Sequence, residues 1–208
     1  MRKHILLTLS ILALVFNLKA QEAETVFKSV VDKLKAYDNI EIAFDYNMIN
    51  TEAGIYETMD GVGFLKGKAY KLKIMGQDII CDGITTWTYN ADAEEVMISE
   101  VESSDEGGTP LAIIDKYYDN ITAKFLDESN DDIKKIEVKS LAGDDSFDKI
   151  IVSLDTKTLE IKDLHVFDNN NNEFVYVITR FVTDQMLPAD FFTFKESDYP
   201  DAEIIDMR

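Results

Sequence analysis

The sequence predicts a mainly β protein, a strongly curved antiparallel sheet or barrel accompanied by two helices. Three observations predict it. From residue 40 to residue 181 short runs of apolar residues follow one another closely, many in period two, with Gly, Asn and Asp between them. Two segments alone carry a helical stripe. No internal repeat, low-complexity linker or Pro/Gly-rich hinge interrupts residues 21–208, which read as one domain.

Residues 1–20 read as a secretory signal peptide. Met1-Arg2-Lys3-His4 is a basic start, and Ile5 to Phe16 is apolar apart from Thr8 and Ser10. Asn17-Leu18-Lys19-Ala20 then ends on a small residue, which gives the order of a cleaved export signal. The apolar run is short of the roughly 20 residues that a membrane span needs. Residue 21 is Gln, so cleavage after Ala20 leaves no cysteine for acylation, and the exported chain is expected to be soluble. With Arg2, Lys3 and Lys19 removed, 18 basic residues face 40 acidic ones.

The first helix is expected over Glu24 to Tyr37, where Val26, Phe27, Val30, Val31, Leu34 and Tyr37 form one stripe. Asp38-Asn39 ends it. Ile40, Ile42, Phe44 and Tyr46 then alternate with Glu41, Ala43 and Asp45, the pattern of a half-buried strand. Strands follow at Ile55 to Leu65, Tyr70 to Met75, Ile79 to Cys81, Thr85 to Tyr89 and Val96 to Ile98. Asp60-Gly61, Gly76 and Asp82-Gly83 punctuate them. Thr109-Pro110 opens the second helix with an N-cap residue and a proline suited to the first helical position. Leu111, Ile114 and Tyr118 share a face of it. Further strands are expected at Ile121 to Leu126, Ile133 to Val138, Phe147 to Leu154, Leu159 to Phe167 and Phe174 to Phe181. A polar loop, Asp168 to Asn172, joins the last two as a hairpin. Phe191 to Phe194 reads as a short closing strand and Lys195 to Arg208 as a tail.

Composition excludes several functions. A formal charge of −19 opposes a nucleic-acid partner, because phosphate binding needs clustered Lys and Arg. The single cysteine, Cys81, excludes a disulfide framework and a Cys-rich zinc site. Beyond the signal segment there is one histidine, His165, and no G-x-S-x-G elbow, so His165 reads as a sheet residue. Cys81 reads as a small buried apolar residue, with no basic neighbour in sequence to lower its pKa. The acidic stretches Glu100 to Glu106 and Asp127 to Asp132 read as solvated loops. Asp168, Asn170 and Asn172 begin like a calcium loop but lack its turn glycine, and Thr179 stands where the late Glu belongs. No Gly-rich phosphate cradle is present. No metal, cofactor or enzymatic activity is therefore expected.

Apolar residues are in surplus. Phe174, Tyr176 and Ile178 lie on one side of their strand while Val175 and Val177 lie on the other. Two helices over the concave face could enclose an apolar volume, although a filled core satisfies the same periodicity.

The segment Asp82-Gly83-Ile84-Thr85-Thr86-Trp87-Thr88-Tyr89-Asn90 resembles the D-G-x-x-x-W-x-Y-N segment of the outer-membrane lipoprotein carrier family, LolA. In that family it follows a short apolar strand, as it follows Asp78 to Cys81 here. The family's Thr-Pro and apolar helix are matched by Thr109-Pro110-Leu111-Ala112-Ile113-Ile114, and its small-x-x-F-x-F piece by Ala189-Asp190-Phe191-Phe192-Thr193-Phe194. The resemblance covers residues 22–206. It implies a half-open antiparallel β-barrel with a helical lid over an apolar cavity. It further implies a monomeric periplasmic carrier of acylated lipoproteins, taking them from an inner-membrane ABC transporter to an outer-membrane receptor of the LolB type. One departure concerns Phe64 to Tyr70, where well-studied members have a lid-tying arginine and this chain has Lys66 and Lys68. A lysine lacks the planar fork of an arginine.

Strand phase nominates Ile40, Ile42, Phe44, Tyr70, Leu72 and Ile74 as cavity lining, together with Trp87 and Tyr89. Leu111 and Ile114 would contribute from the lid. Plain core packing is the competing role for each. Two other functions stand beside the carrier: a lipid-binding or sensing module on the same fold, and an enzyme using acidic residues, for which the sequence nominates no residue.

Overall fold

The computed structural model describes residues 20–101, 118, 120–141 and 147–208. Residues 1–19 of the expected export signal and most of the segment expected as the second helix, with Leu111 and Ile114, lie outside these described residues.

Helix α1 occupies residues 20–36 and leads into a 12-stranded sheet. The first six strands are β1 (Ile40–Asn50), β2 (Ile55–Lys66), β3 (Ala69–Ile74), β4 (Gln77–Cys81), β5 (Thr85–Asn90) and β6 (Glu95–Glu100). The rest are β7 (Ile121–Phe125), β8 (Ile133–Ser140), β9 (Phe147–Asp155), β10 (Ile161–Asp168), β11 (Glu173–Thr183) and β12 (Glu203–Asp206). Their order across the sheet is β12-β6-β5-β4-β3-β2-β1-β11-β10-β9-β8-β7. Neighbours are antiparallel throughout except at one edge, where β12 runs parallel to β6. The sheet is mainly β, open and curved, as the sequence predicts.

Turn chemistry explains the hairpins. Gly67 and Gly76 have φ of 57° and 70° at the β2–β3 and β3–β4 turns, a region where a side chain is strained. At the β4–β5 turn, Asp82 Oδ1 accepts the N–H groups of Ile84 and Thr85 at 2.9 and 2.8 Å. The β1–β11 register shifts between Ala43 and Phe44, a bulge that brings Ile178 and Phe181 to the same face.

That inner face is continuous across the sheet. Ile136, Val152, Leu164, Tyr176, Tyr46 and Met59 stand side by side on six successive strands. On the β7–β10 side it meets Ala23, Phe27, Val30 and Val31 of α1, all at most 2% exposed. Ile136, Val152 and Leu154 are fully buried there.

The end of the chain departs from the sequence expectation. Phe191 and Phe192 lie in a turn and Thr193 and Phe194 in irregular chain, and the closing strand is β12, inside the segment expected to be a tail. The aromatic side chains explain the difference, because they pack across the outer face of β2–β5. Phe191 meets Phe64 at 5.0 Å between ring centres, and Phe194 stacks on Trp87 at 5.6 Å and 6°. A segment bound through its side chains has no need of a ladder.

Candidate functional site

On the β1–β4 side the same inner face borders a cavity of about 270 Å³. Its walls come from β1 (Ile40, Ile42, Phe44, Tyr46), β3 (Tyr70, Leu72, Ile74) and β11 (Tyr176, Ile178, Phe181), with Leu34 from the end of α1. Two glycines of β2 shape it. Gly61 lies under the Phe44 ring, where an added Cβ would stand 2.5 Å from Cζ. Gly63 is itself part of the wall, and a Cβ there would come within 3.3 Å of Ile42 Cγ2. Missing side chains on β2 therefore make room for one ring and for the cavity beside it.

Of the ten residues nominated from strand phase, Ile40, Ile42, Phe44, Tyr70, Leu72 and Ile74 all line this cavity. Trp87 and Tyr89 do not. The pairing of Cys81 with Thr86 and of Ile79 with Thr88 puts Thr86 and Thr88 on the inner face, which turns Trp87 and Tyr89 outward. Tyr89 packs on Tyr199 at 4.7 Å, and Tyr199 stacks on Phe194 at 5.5 Å. Leu111 and Ile114 fall outside the described residues.

Sequence reasoning missed Tyr46, Leu65, Tyr176, Ile178 and Phe181 as cavity residues. Tyr176 and Ile178 were legible as one apolar face. What the periodicity could not give was the bulge that carries Phe181 to that face.

Lys66, which stands in the stretch where the family arginine is expected, pairs with Asp38 just beyond α1 at 3.1 Å. The lysine holds the Asp38 carboxyl below its ordinary value, and both groups are well exposed. Lys33 donates to the Thr158 carbonyl at 2.8 Å, and Tyr118 donates to Asp32 at 2.7 Å, so α1 is tied near its C-terminal end.

The outer face holds a polar cluster that sequence reasoning did not find. His165 Nδ1 lies 2.6 Å from Glu173 Oε1, and Nε2 lies 3.3 Å from Asp163 Oδ1. The Asp163 carboxylate beside Nε2, helped by the hydrogen-bonded Glu173, raises the His165 pKa against the opposing effect of burial. Burial pushes Asp163 upward, but His165 and the groups beside it hold it below the ordinary carboxylate value. Asp163 and His165 are two residues apart on one strand, a spacing that puts both on one face and is the signal that could have revealed them. Cys81 is fully buried, and its sulfur accepts the Gly83 N–H at 3.2 Å. Among the described residues no group of three His, Cys, Asp or Glu could hold a metal ion. No helix among them is long and apolar enough to cross a membrane.

The sequence matches the model of the family "Outer membrane lipoprotein carrier protein LolA" over residues 75–195, more than half of the chain. No curated protein matches it. Among solved structures it is similar to an uncharacterized conserved protein from Thermus thermophilus, at 7% identity and a TM-score of 0.53. That likeness covers 86% of this chain and 97% of the other. A LolA superfamily protein from Nitrosomonas europaea has 11% identity and a TM-score of 0.45, over 83% of this chain and 97% of that one. MucB in the Pseudomonas aeruginosa MucA/MucB complex has 10% identity and a TM-score of 0.41, over 84% and 62%. The resemblance carried by Asp82 to Asn90 and by Ala189 to Phe194 falls within the matched region, and the chain belongs to the LolA family.

Proposed function

We propose that the protein is a periplasmic carrier that holds the acyl chains of lipoproteins in the cavity beside β1–β4. It would take lipoproteins from an inner-membrane ABC transporter, cross the periplasm as a soluble monomer, and pass them to an outer-membrane receptor of the LolB type where one is present. The cavity carries this reading. It is an apolar volume of about 270 Å³ on a sheet face whose other half is filled.

Transfer of hydrocarbon from water into such a volume contributes about 0.8 kcal/mol per buried CH₂. A carrier needs enough of this to cross water and little enough to release its cargo. An open, curved sheet suits that balance, because its apolar inner face forms the cavity wall. The basic, apolar, small-residue order of residues 1–20 supports export.

The test incubates residues 21–208 with spheroplasts that retain newly made lipoproteins. Appearance of triacylated lipoprotein in the soluble fraction, in a one-to-one complex, is the expected result. Acyl-chain binding without release would favour a sensing or storage module on the same fold. Neither binding nor release would end the cavity reading.

A further inference from the structure

The cavity has a polar end. Its walls run along β1 from Ile40 to Tyr46, about 20 Å at the rise of an extended strand. Along β11 they run from Phe181 back to Tyr176, and the register places Tyr176 directly beside Tyr46. The two tyrosines therefore stand at the same end of a mostly apolar slot, where Gln77 also lines the wall, with ring centres 5.1 Å apart.

Tyr46 is 6% exposed, and among the described residues neither its hydroxyl nor that of Tyr176 has a hydrogen-bond partner. Tyr176 is half-buried and neither hydroxyl is sealed away from solvent, so both donors remain available to an acceptor that enters the cavity. Burial raises both phenols above their ordinary value, so both stay protonated and neutral. No cation among the described residues reaches this end. Lys71, the one basic residue in the wall, has its ammonium 5.1 Å from the centre of the Phe191 ring, on the outer face. The Glu57 carboxylate acts on Tyr46 electrostatically and would repel an anion placed there.

We propose that Tyr46 and Tyr176 donate hydrogen bonds to the ester carbonyl at the head of a bound acyl chain, so that the site prefers esterified chains to free fatty carboxylates. This rests on the acyl-binding reading above and adds the chemistry of the polar end. Two neutral donors suit a neutral acceptor. A carboxylate would give up its hydration for hydrogen bonds without a countercharge.

The test displaces an apolar fluorescent dye from residues 21–208 with methyl dodecanoate, dodecanoate or dodecane at neutral pH. The wild-type chain and the Tyr46→Phe, Tyr176→Phe and double variants are compared. The ester is expected to bind the wild-type chain about tenfold more tightly than the alkane, and more tightly than the carboxylate. In the double variant the ester should fall to the level of the alkane, while alkane binding and the thermal midpoint do not fall. Equal binding of ester and alkane by the wild-type chain would overturn the tyrosine assignment and leave the acyl-binding reading standing. So would an ester preference that survives in the double variant. Failure of all three ligands to displace the dye would overturn both.

Discussion

The two halves of the inner sheet face have similar sequences and different fates. On the β7–β10 side, alternating Ile, Val and Leu meet four apolar residues of α1, and the result is a filled core. On the β1–β4 side, similar alternation meets, among the described residues of that helix, Leu34 from its last turn, and a cavity remains. Among the described residues, fourteen buried side chains make the first cluster and three the second. Apolar periodicity thus specifies which face is inward, but the covering element decides whether that face becomes core or site. The difference also divides the labour. One half has the packing to keep the fold, and the other is left able to exchange its contents.

Substitutions should separate the halves. Leu154→Ala, in the filled half at 0% exposure, is expected to cost about 2–5 kcal/mol in denaturant unfolding. Ile178→Ala, in the cavity wall, should cost less than half of that, because it enlarges a space already present. It should weaken apolar-dye binding, which Leu154→Ala should not do at temperatures where the variant is folded. Equal stability losses with unchanged binding would erase the distinction. Next in size is Gly61→Ala. Its Cβ would lie 2.5 Å from Phe44 Cζ, so the ring must swing toward the cavity. A loss of about 1–3 kcal/mol is expected, together with reduced dye affinity.

The pH dependence sharpens the contrast on the outer face of the filled half. His165 has a pKa raised above its ordinary 6.5, so its stabilisation is fully present below 6.5 and fades as pH rises through the raised value. Asp163 has a lowered pKa, so its share is lost as pH falls through that lowered value. His165→Asn should remove about 1 kcal/mol or less near pH 6 and flatten the dependence above it, read as the denaturation midpoint against pH. The smallest effect belongs to Lys66→Ala. Its ion pair with Asp38 is exposed, and the denaturant midpoint should stay where it is in the wild-type chain.

Much of this was legible in the sequence, for reasons that also mark the limit. Ile40, Ile42 and Phe44 alternate cleanly with polar residues and one alanine, and Tyr70, Leu72 and Ile74 alternate with lysines, so phase alone aims them inward. Trp87 and Tyr89 alternate just as cleanly with threonines. They face outward because Phe194 and Tyr199, from a segment with no regular pattern, cover them. A period of two tells which residues share a side, and a distant aromatic segment can make either side the buried one. For the same reason β12 was hidden. Four residues, Glu203 to Asp206, pair with β6 in parallel after a long return, and nothing local announces such a partner.

The most direct test of the central claim is methyl NMR of residues 21–208 titrated with methyl dodecanoate. If the β1–β4 half is the binding site and the β7–β10 half a filled core, the methyls of Ile42, Leu72, Ile74 and Ile178 should shift saturably. Those of Ile136, Ile150 and Leu154 should stay in place. Saturable shifts centred on Ile136, Ile150 and Leu154, or no saturable shift at any of the seven, would contradict it.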